Sequence, residues 1–114
     1  MQLSEFEIKR VQRLFENYCD DRIPLIMKGK LKLEYRIRDN EVILYESRVP
    51  YNQVDVWYST TVARFLKDNE HNIWHLFSAD RNDDWIAYHP YPNDRNIEQL
   101  ISAVNEDITG IFFG

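Results

Sequence analysis

Leu31-Lys32-Leu33-Glu34-Tyr35-Arg36-Ile37-Arg38 alternates apolar and charged residues without a break, and Asp39-Asn40 leads into Glu41-Val42-Ile43-Leu44-Tyr45-Glu46-Ser47-Arg48. Alternation is the period of a sheet with one buried face. Asp39 and Asn40 both tolerate the positive φ that a two-residue hairpin turn requires. The stretch therefore predicts a β-hairpin with Ile37 opposite Val42, Tyr35 opposite Leu44, Leu33 opposite Glu46 and Leu31 opposite Arg48. A slip of one residue would move every side chain of the second strand to the other face.

In that register the apolar stripe Leu31, Leu33, Tyr35, Ile37, Val42 and Leu44 continues into Glu46 and Arg48. A charge pointing toward a core is costly unless it is paired, hydrogen-bonded or facing a ligand. Two readings follow. The strand runs past the core edge, leaving both side chains in water or clamping a loop; or Arg48 is a donor fork for an anionic ligand, oriented by Glu46. Core-facing charges are almost always paired, which favours the first.

Upstream, Ser4 and Glu7 form an S-x-x-E capping box with Leu3 and Ile8 at the staple positions. Ile8, Val11, Leu14, Phe15, Tyr18 and Cys19 follow at helical spacing. Asp20-Asp21 and Pro24 end this helix, and a loop through Gly29 leads to the hairpin.

Downstream of Pro50, Val54 to Lys67 fits one long strand or two short ones. Asp68 to Asn72 reads as a turn, Ile73 to Ser78 as a strand, Ala79 to Asp84 as a polar loop and Trp85 to Tyr88 as a strand. His89-Pro90-Tyr91-Pro92 is expected to be extended. A second helix, capped by Asp94 or Asn96, carries the stripe Ile97, Leu100, Ile101, Val104 and Ile108, and Gly110 is its expected left-handed cap. The apolar tail Ile111-Phe112-Phe113-Gly114 should dock on the sheet or on a partner. The expectation is one α+β domain over residues 1–114, in two layers: an N-terminal helix, an antiparallel meander of four to five strands and a C-terminal helix.

Composition narrows the function classes. The chain has 114 residues, 44% of them hydrophobic, enough for one core. No apolar run approaches the ~18 residues of a membrane helix. One cysteine, Cys19, and an N-terminus without a basic start and apolar block predict a soluble cytoplasmic protein. The net charge of −5 divides unevenly: residues 1–67 carry 12 basic and 10 acidic residues, residues 68–114 carry 2 and 9. Such polarity favours association with a protein partner or a second copy as readily as it suits two solvated faces. Nucleic acid is disfavoured, since the basic run Lys28, Lys30, Lys32, Arg36, Arg38 is interrupted by Glu34.

No cofactor or metal is expected. Only three glycines occur, so dinucleotide and phosphate-loop fingerprints are missing, as is G-x-S-x-G. Asp80, Asn82 and Asp84 begin like a calcium loop, but Trp85 stands where that loop needs glycine and Tyr91 where it needs glutamate. His71, His75 and His89 lack ligand spacing. His89 is the most accessible candidate acid or base. Cys19, near a helix C-terminus, reads as inert packing.

Ser4-Glu5, Glu7-Ile8-Lys9-Arg10, Tyr35-Arg36-Ile37, Glu46, Arg48-Val49-Pro50, Ala63, Trp74, Trp85, Tyr88, Pro90 and the closing Gly110-Ile111-Phe112-Phe113-Gly114 together resemble a small bacterial family known only as a domain of unknown function, DUF3024. The chain departs from that pattern at Ser78 and Asp80, where members carry an aromatic and a basic residue. The resemblance implies the fold and a bacterial cytoplasmic setting, and no reaction. The leading expectation is a noncatalytic interaction or regulatory module, with Tyr45, Tyr88 and Tyr91 on its contact surfaces. The alternative is a small ligand-binding domain or enzyme using Glu46, Arg48, Arg36 and His89. A third reading places single-stranded nucleic acid on Lys32, Arg36, Arg38 and Tyr45.

Overall fold

The computed structural model describes residues 2–23, 29–49 and 57–114. Helix α1 spans Glu5–Arg22. Strands β1 (Leu31–Arg38), β2 (Glu41–Arg48), β3 (Tyr58–Asp68), β4 (Ile73–Ala79), β5 (Trp85–Ala87) and β6 (Asn93–Asp94) follow, and helix α2 (Ile97–Glu106) comes last. The sheet is antiparallel with order β1-β2-β3-β4-β5, and β6 also pairs with β4. The expected α+β arrangement is the one observed. The helix stop at Pro24, the Lys28 end of the basic run, Pro50, Tyr51 and the beginning of the stretch from Val54 lie outside the described residues.

The hairpin has the register that its alternation and turn predict: Leu31 pairs with Arg48, Leu33 with Glu46, Tyr35 with Leu44 and Ile37 with Val42. Asp39 takes the positive φ of 53°. Val42, Leu44 and Phe65 are fully buried on the helix-covered face, with Leu33, Trp74 and Leu76. From Tyr58 onward the ambiguous stretch is one strand, β3, with a bulge: Leu44 pairs with Ala63 and Tyr45 with Thr61, leaving Val62 extra. A bulge breaks the period of two, so Val62 and Ala63 are both buried.

Both helices lie on the same face of the sheet. Phe15 of α1 packs on Tyr35 and edge-on against Phe65. Arg10 reaches Asn96 (3.1 Å) and Tyr18 reaches Asn105 (3.4 Å), so α1 and α2 run side by side in the same direction. Ser4 caps α1 by accepting from Glu7 N–H at 3.1 Å. The Glu7 carboxylate does not close the expected box onto Ser4 N–H but takes Lys67 Nζ at 2.8 Å.

Three local expectations need correction. The His89 to Pro92 segment turns rather than extends: Tyr91 N–H donates to Tyr88 C=O at 3.2 Å. A proline restricts its own φ and its predecessor, yet both fit within a four-residue reversal. The short β6 that follows is sequence-silent. Helix α2 is capped by Asn96, whose side chain accepts from Glu98 N–H, and it ends at Asp107 rather than Gly110. Asp107 takes the left-handed conformation, and its carboxylate accepts from Phe112 and Phe113 N–H at 3.0 and 2.8 Å. Ile108 therefore falls off the stripe into solvent, while Phe112 docks on Tyr88 with ring centres 4.7 Å apart.

Phe15→Ala is expected to cost about 3–5 kcal/mol through lost burial and the cavity left behind, whereas Phe6→Ala, 81% exposed, should stay within about 0.5 kcal/mol. Urea unfolding of the two variants checks the assignment of the α1 core face.

Candidate functional site

Paired residues share a face, so the ladder also defines the face turned away from α1 and α2. Arg36, Ile43, Arg64, Phe77 and Ala87 form one row across five strands, and Glu34, Tyr45 and Thr61 form another. Ile43 is buried here although neither α1 nor α2 covers it. Its neighbours do the covering. Arg64 lies 5.5 Å above the Phe77 ring and donates to Glu41 at 2.6 Å, and Ser47 bonds Ser59 at 2.9 Å.

The loop between β4 and β5 curls over this face and makes a trough of about 530 Å³, lined among the described residues by Arg36, Glu41, Ile43, Thr61, Asp83 and Trp85. Asp80 shapes the loop, accepting from Asn82 and Asp84 N–H at 2.8 and 3.0 Å. That carboxylate therefore serves the turn. Arg36 makes no ion pair among the described residues and stands exposed at the trough's edge. Tyr45 sits half-buried beside Glu34; burial first, then Glu34, raises its hydroxyl pKa. Trp57 and Tyr58 are exposed at the start of β3, with Lys32 Nζ 4.1 Å above the Trp57 ring.

Glu46 and Arg48 do continue the stripe of the helix-covered face, opposite Thr60 and Tyr58. They pair with each other at 2.6 Å, with the Glu46 side chain 18% and the Arg48 side chain 67% exposed. His89 is exposed in the turn after β5 and is not brought to them. Tyr88 N–H bonds Leu76, which is level with Phe65 and Val42. Glu46 is four residues further along β2, about 13 Å at strand rise, and three strands away laterally. Tyr88, expected on an exposed segment, is buried; Tyr91 is the ring left outside, its hydroxyl on Asp94 at 2.5 Å. That bond, then Asn96 N–H, lowers the Asp94 pKa.

Around the C-terminal end of α1 a second cavity of about 560 Å³ is lined by Glu16, Cys19, Asp20, Glu34, Tyr35 and Tyr45, among others. Burial pushes the Cys19 thiol up to about 12, with Glu34 and Asp20 adding to it. Tyr35, desolvated and bonded to Glu16, is also raised to about 12. Neither group is ionised near neutral pH, so neither is a nucleophile or a base there.

One charged cluster escapes a reading based on the hairpin. Lys67 ends the face row Ala63, Phe65, Lys67, and its side chain is 7% exposed. Glu7 pairs with it, and Arg10, Arg95 and Trp74 stand around the same small hollow. The signal was a charge continuing an apolar stripe, the same signal that selected Glu46. It was hidden because the period of β3 breaks at Val62.

Cys19 should resist iodoacetamide near pH 8 in the folded protein and react quickly in urea. Because its folded pKa of about 12 stands above the ordinary 9.0, its contribution to stability is full below about pH 9 and is lost as the pH rises toward 12. Thiol labelling and urea midpoints measured across that range test the sign.

Among the described residues no helix is long and apolar enough to cross a membrane, and no group of three or more metal-ligating side chains forms. No curated protein and no solved structure matches the chain. A family model, described as a domain of unknown function (DUF3024), matches residues 3–114. Its match covers the helices, the hairpin and the closing aromatic tail alike, so the chain belongs to the DUF3024 family.

Proposed function

We propose that this domain is a noncatalytic interaction module of the bacterial cytoplasm, and that it receives a protein segment on the helix-free sheet face. The observation that carries the reading is the trough itself. Both helices cover one face, and the other offers a concavity with an apolar floor of Ile43 and Trp85 and charges of both signs at its rim. That mixture, with aromatic rings and an arginine, is the composition of a protein contact.

Nucleic acid suits the face less well. Glu34, Glu41 and Asp83 lie among its bases, and Arg64 is already held by Glu41 at 2.6 Å. A phosphate backbone needs an uninterrupted cationic track. An enzyme built from Glu46, Arg48 and His89 is not favoured by the register that separates them. Strand β1 supports the protein reading, since it is the sheet's edge and has eight residues to offer an incoming strand.

Selection of peptides from a random library against the full chain should yield binders that Arg36→Glu with Tyr45→Ala weakens by at least about tenfold. Arg48→Met, on the other face, should leave them within about twofold and should fold normally, an exposed pair being worth about 0–1 kcal/mol. Binders that ignore the Arg36 and Tyr45 substitutions, or oligonucleotides that bind there with a steep salt dependence, would overturn the proposal.

A further inference from the structure

The sheet face turned away from α1 and α2 carries opposite charges at its two sides. On β1, the outermost strand of one side, Lys32, Glu34, Arg36 and Arg38 alternate with the covered stripe, three bases against one acid, for a net charge of +2. On the other side the β4–β5 loop carries Asp80, Asp83 and Asp84 against Arg81, for a net charge of −2. Between them Arg64 and Glu41 cancel in a pair of 2.6 Å. Lys32, Arg36, Arg38, Asp83 and Asp84 are exposed, and among the described residues none of the five is in an ion pair.

Charge exposed to water is stable by itself, so polarity alone assigns no partner. The trough supplies the second observation. Arg36 lines it from β1 and Asp83 from the loop, yet the two do not pair across its roughly 530 Å³. Each is thus offered to whatever enters. The same face carries Tyr45, Phe77 and Trp85, all half-buried, and Trp57 beneath Lys32. Tyr, Trp and Arg are the residue types that carry most binding energy at protein contacts.

Symmetry identifies the occupant. When two such sheets face each other across a two-fold axis parallel to the strands, β1 of each copy lies over the β4–β5 loop of the other. The face is then complementary to itself, +2 against −2 at two equivalent contacts, as an isologous interface requires. An axis across the strands would set β1 on β1 and repel. We propose that the trough docks a second copy of this chain, each copy lowering its β4–β5 loop beside Arg36 of the other. The inference rests on the trough being a protein contact, and it names the protein. Five strands about 4.8 Å apart and about 27 Å long present roughly 500 Å² per copy, below the 800 Å² per partner of a standard interface. The dimer is therefore a weak one that forms with concentration.

Sedimentation equilibrium of the full chain at about 10–500 μM should show monomer and dimer with no larger species, and a dissociation constant that rises several-fold between about 50 and 500 mM salt. Two variants reverse one side each. Arg36→Glu with Arg38→Glu turns the β1 side to −2, and Asp83→Asn with Asp84→Lys turns the loop to +1. Asparagine keeps the left-handed backbone that Asp83 adopts at φ 64°. All four positions are exposed, so folding should be unaffected. Each variant alone meets like charge in a second copy and should dimerise at least about tenfold more weakly. Mixed in equal amounts, the two variants meet opposite charge at both contacts and should associate within about threefold of the unaltered chain. A monomer throughout, species larger than a dimer, variants that dimerise unchanged, or a mixture that stays monomeric would overturn the proposal. A monomer whose selected peptides still depend on Arg36 and Tyr45 would do so while leaving the trough as a contact for another protein; loss of both would remove that reading as well.

Discussion

The turn at Asp39-Asn40 ties together segments that are far apart in the chain. Asp39 C=O accepts from Leu3 N–H at 3.1 Å, which anchors the chain just before α1. Asn40 C=O accepts from Lys67 N–H and its side-chain amide donates to Lys67 C=O, both at 2.8 Å, which fixes the end of β3. The same two residues set the hairpin register, and through it the face of every side chain in β2. A tight turn thus positions the start of a helix, the end of a strand and the division of the sheet into a covered and an open face. Backbone groups at such a turn need partners in any case; here the partners are the segment just before α1 and the end of β3.

Once the faces are divided, the direction of the helices decides the electrostatics. A meander of antiparallel strands carries the chain to β5 beyond β4, and the turn at Tyr88 to Tyr91 with the short β6 sends α2 back alongside α1 in the same sense. Parallel neighbours stack like ends of their dipoles. At the N-terminal end the first-turn acids Glu5, Glu7 and Glu98 oppose the positive helix ends, and Glu7 also takes Lys67 at 2.8 Å. At the other end Asp107 spends its carboxylate on two backbone N–H groups of the tail, and Arg22 lies 4.4 Å above the Phe113 ring. The uneven charge of the two chain halves therefore does not map onto two separate ends: bases from the first half meet the amino end of the helix from the second.

The parts of this architecture that were legible in the sequence are those set by local chemistry. Ser4 caps its helix and Asp39 turns its hairpin through bonds and dihedrals within a few residues, so their signals survive in a short window. What escaped depends on contacts made across the chain. The bulge at Val62 inserts a residue that no alternation announces. Asp107 competes with Gly110 for the left-handed cap and wins because its carboxylate can also bind Phe112 and Phe113, a gain visible only once the tail folds back. Glu7, in a position that reads as a capping box, is drawn instead to an ammonium sixty residues away. Tyr88 is buried because Phe112 closes over it, again from a distant segment.

Two charged pairs test the rule that a charge extending an apolar stripe marks a place of consequence, and burial separates them. Arg48 is 67% exposed and its partner Glu46 lies two residues away on the same strand. Water screens such a pair, which contributes about 0–1 kcal/mol, so the stripe has simply outrun the helix layer at that end of β2. Lys67 is 7% exposed and its partner comes from another element. Removing Glu7 would leave the buried Lys67 charge without compensation, whereas Glu7 itself, 30% exposed, still reaches water. A charge is retained at such a position only if the surroundings stabilise it, and the Glu7 carboxylate does so at 2.8 Å, while Glu98 holds the neighbouring Arg10 at 3.4 Å. A partner drawn from α1, with the Trp74 ring closing one side, is what distinguishes this pair from the exposed one, and it places the consequence of the stripe rule at β3 rather than at the hairpin where the rule first applied.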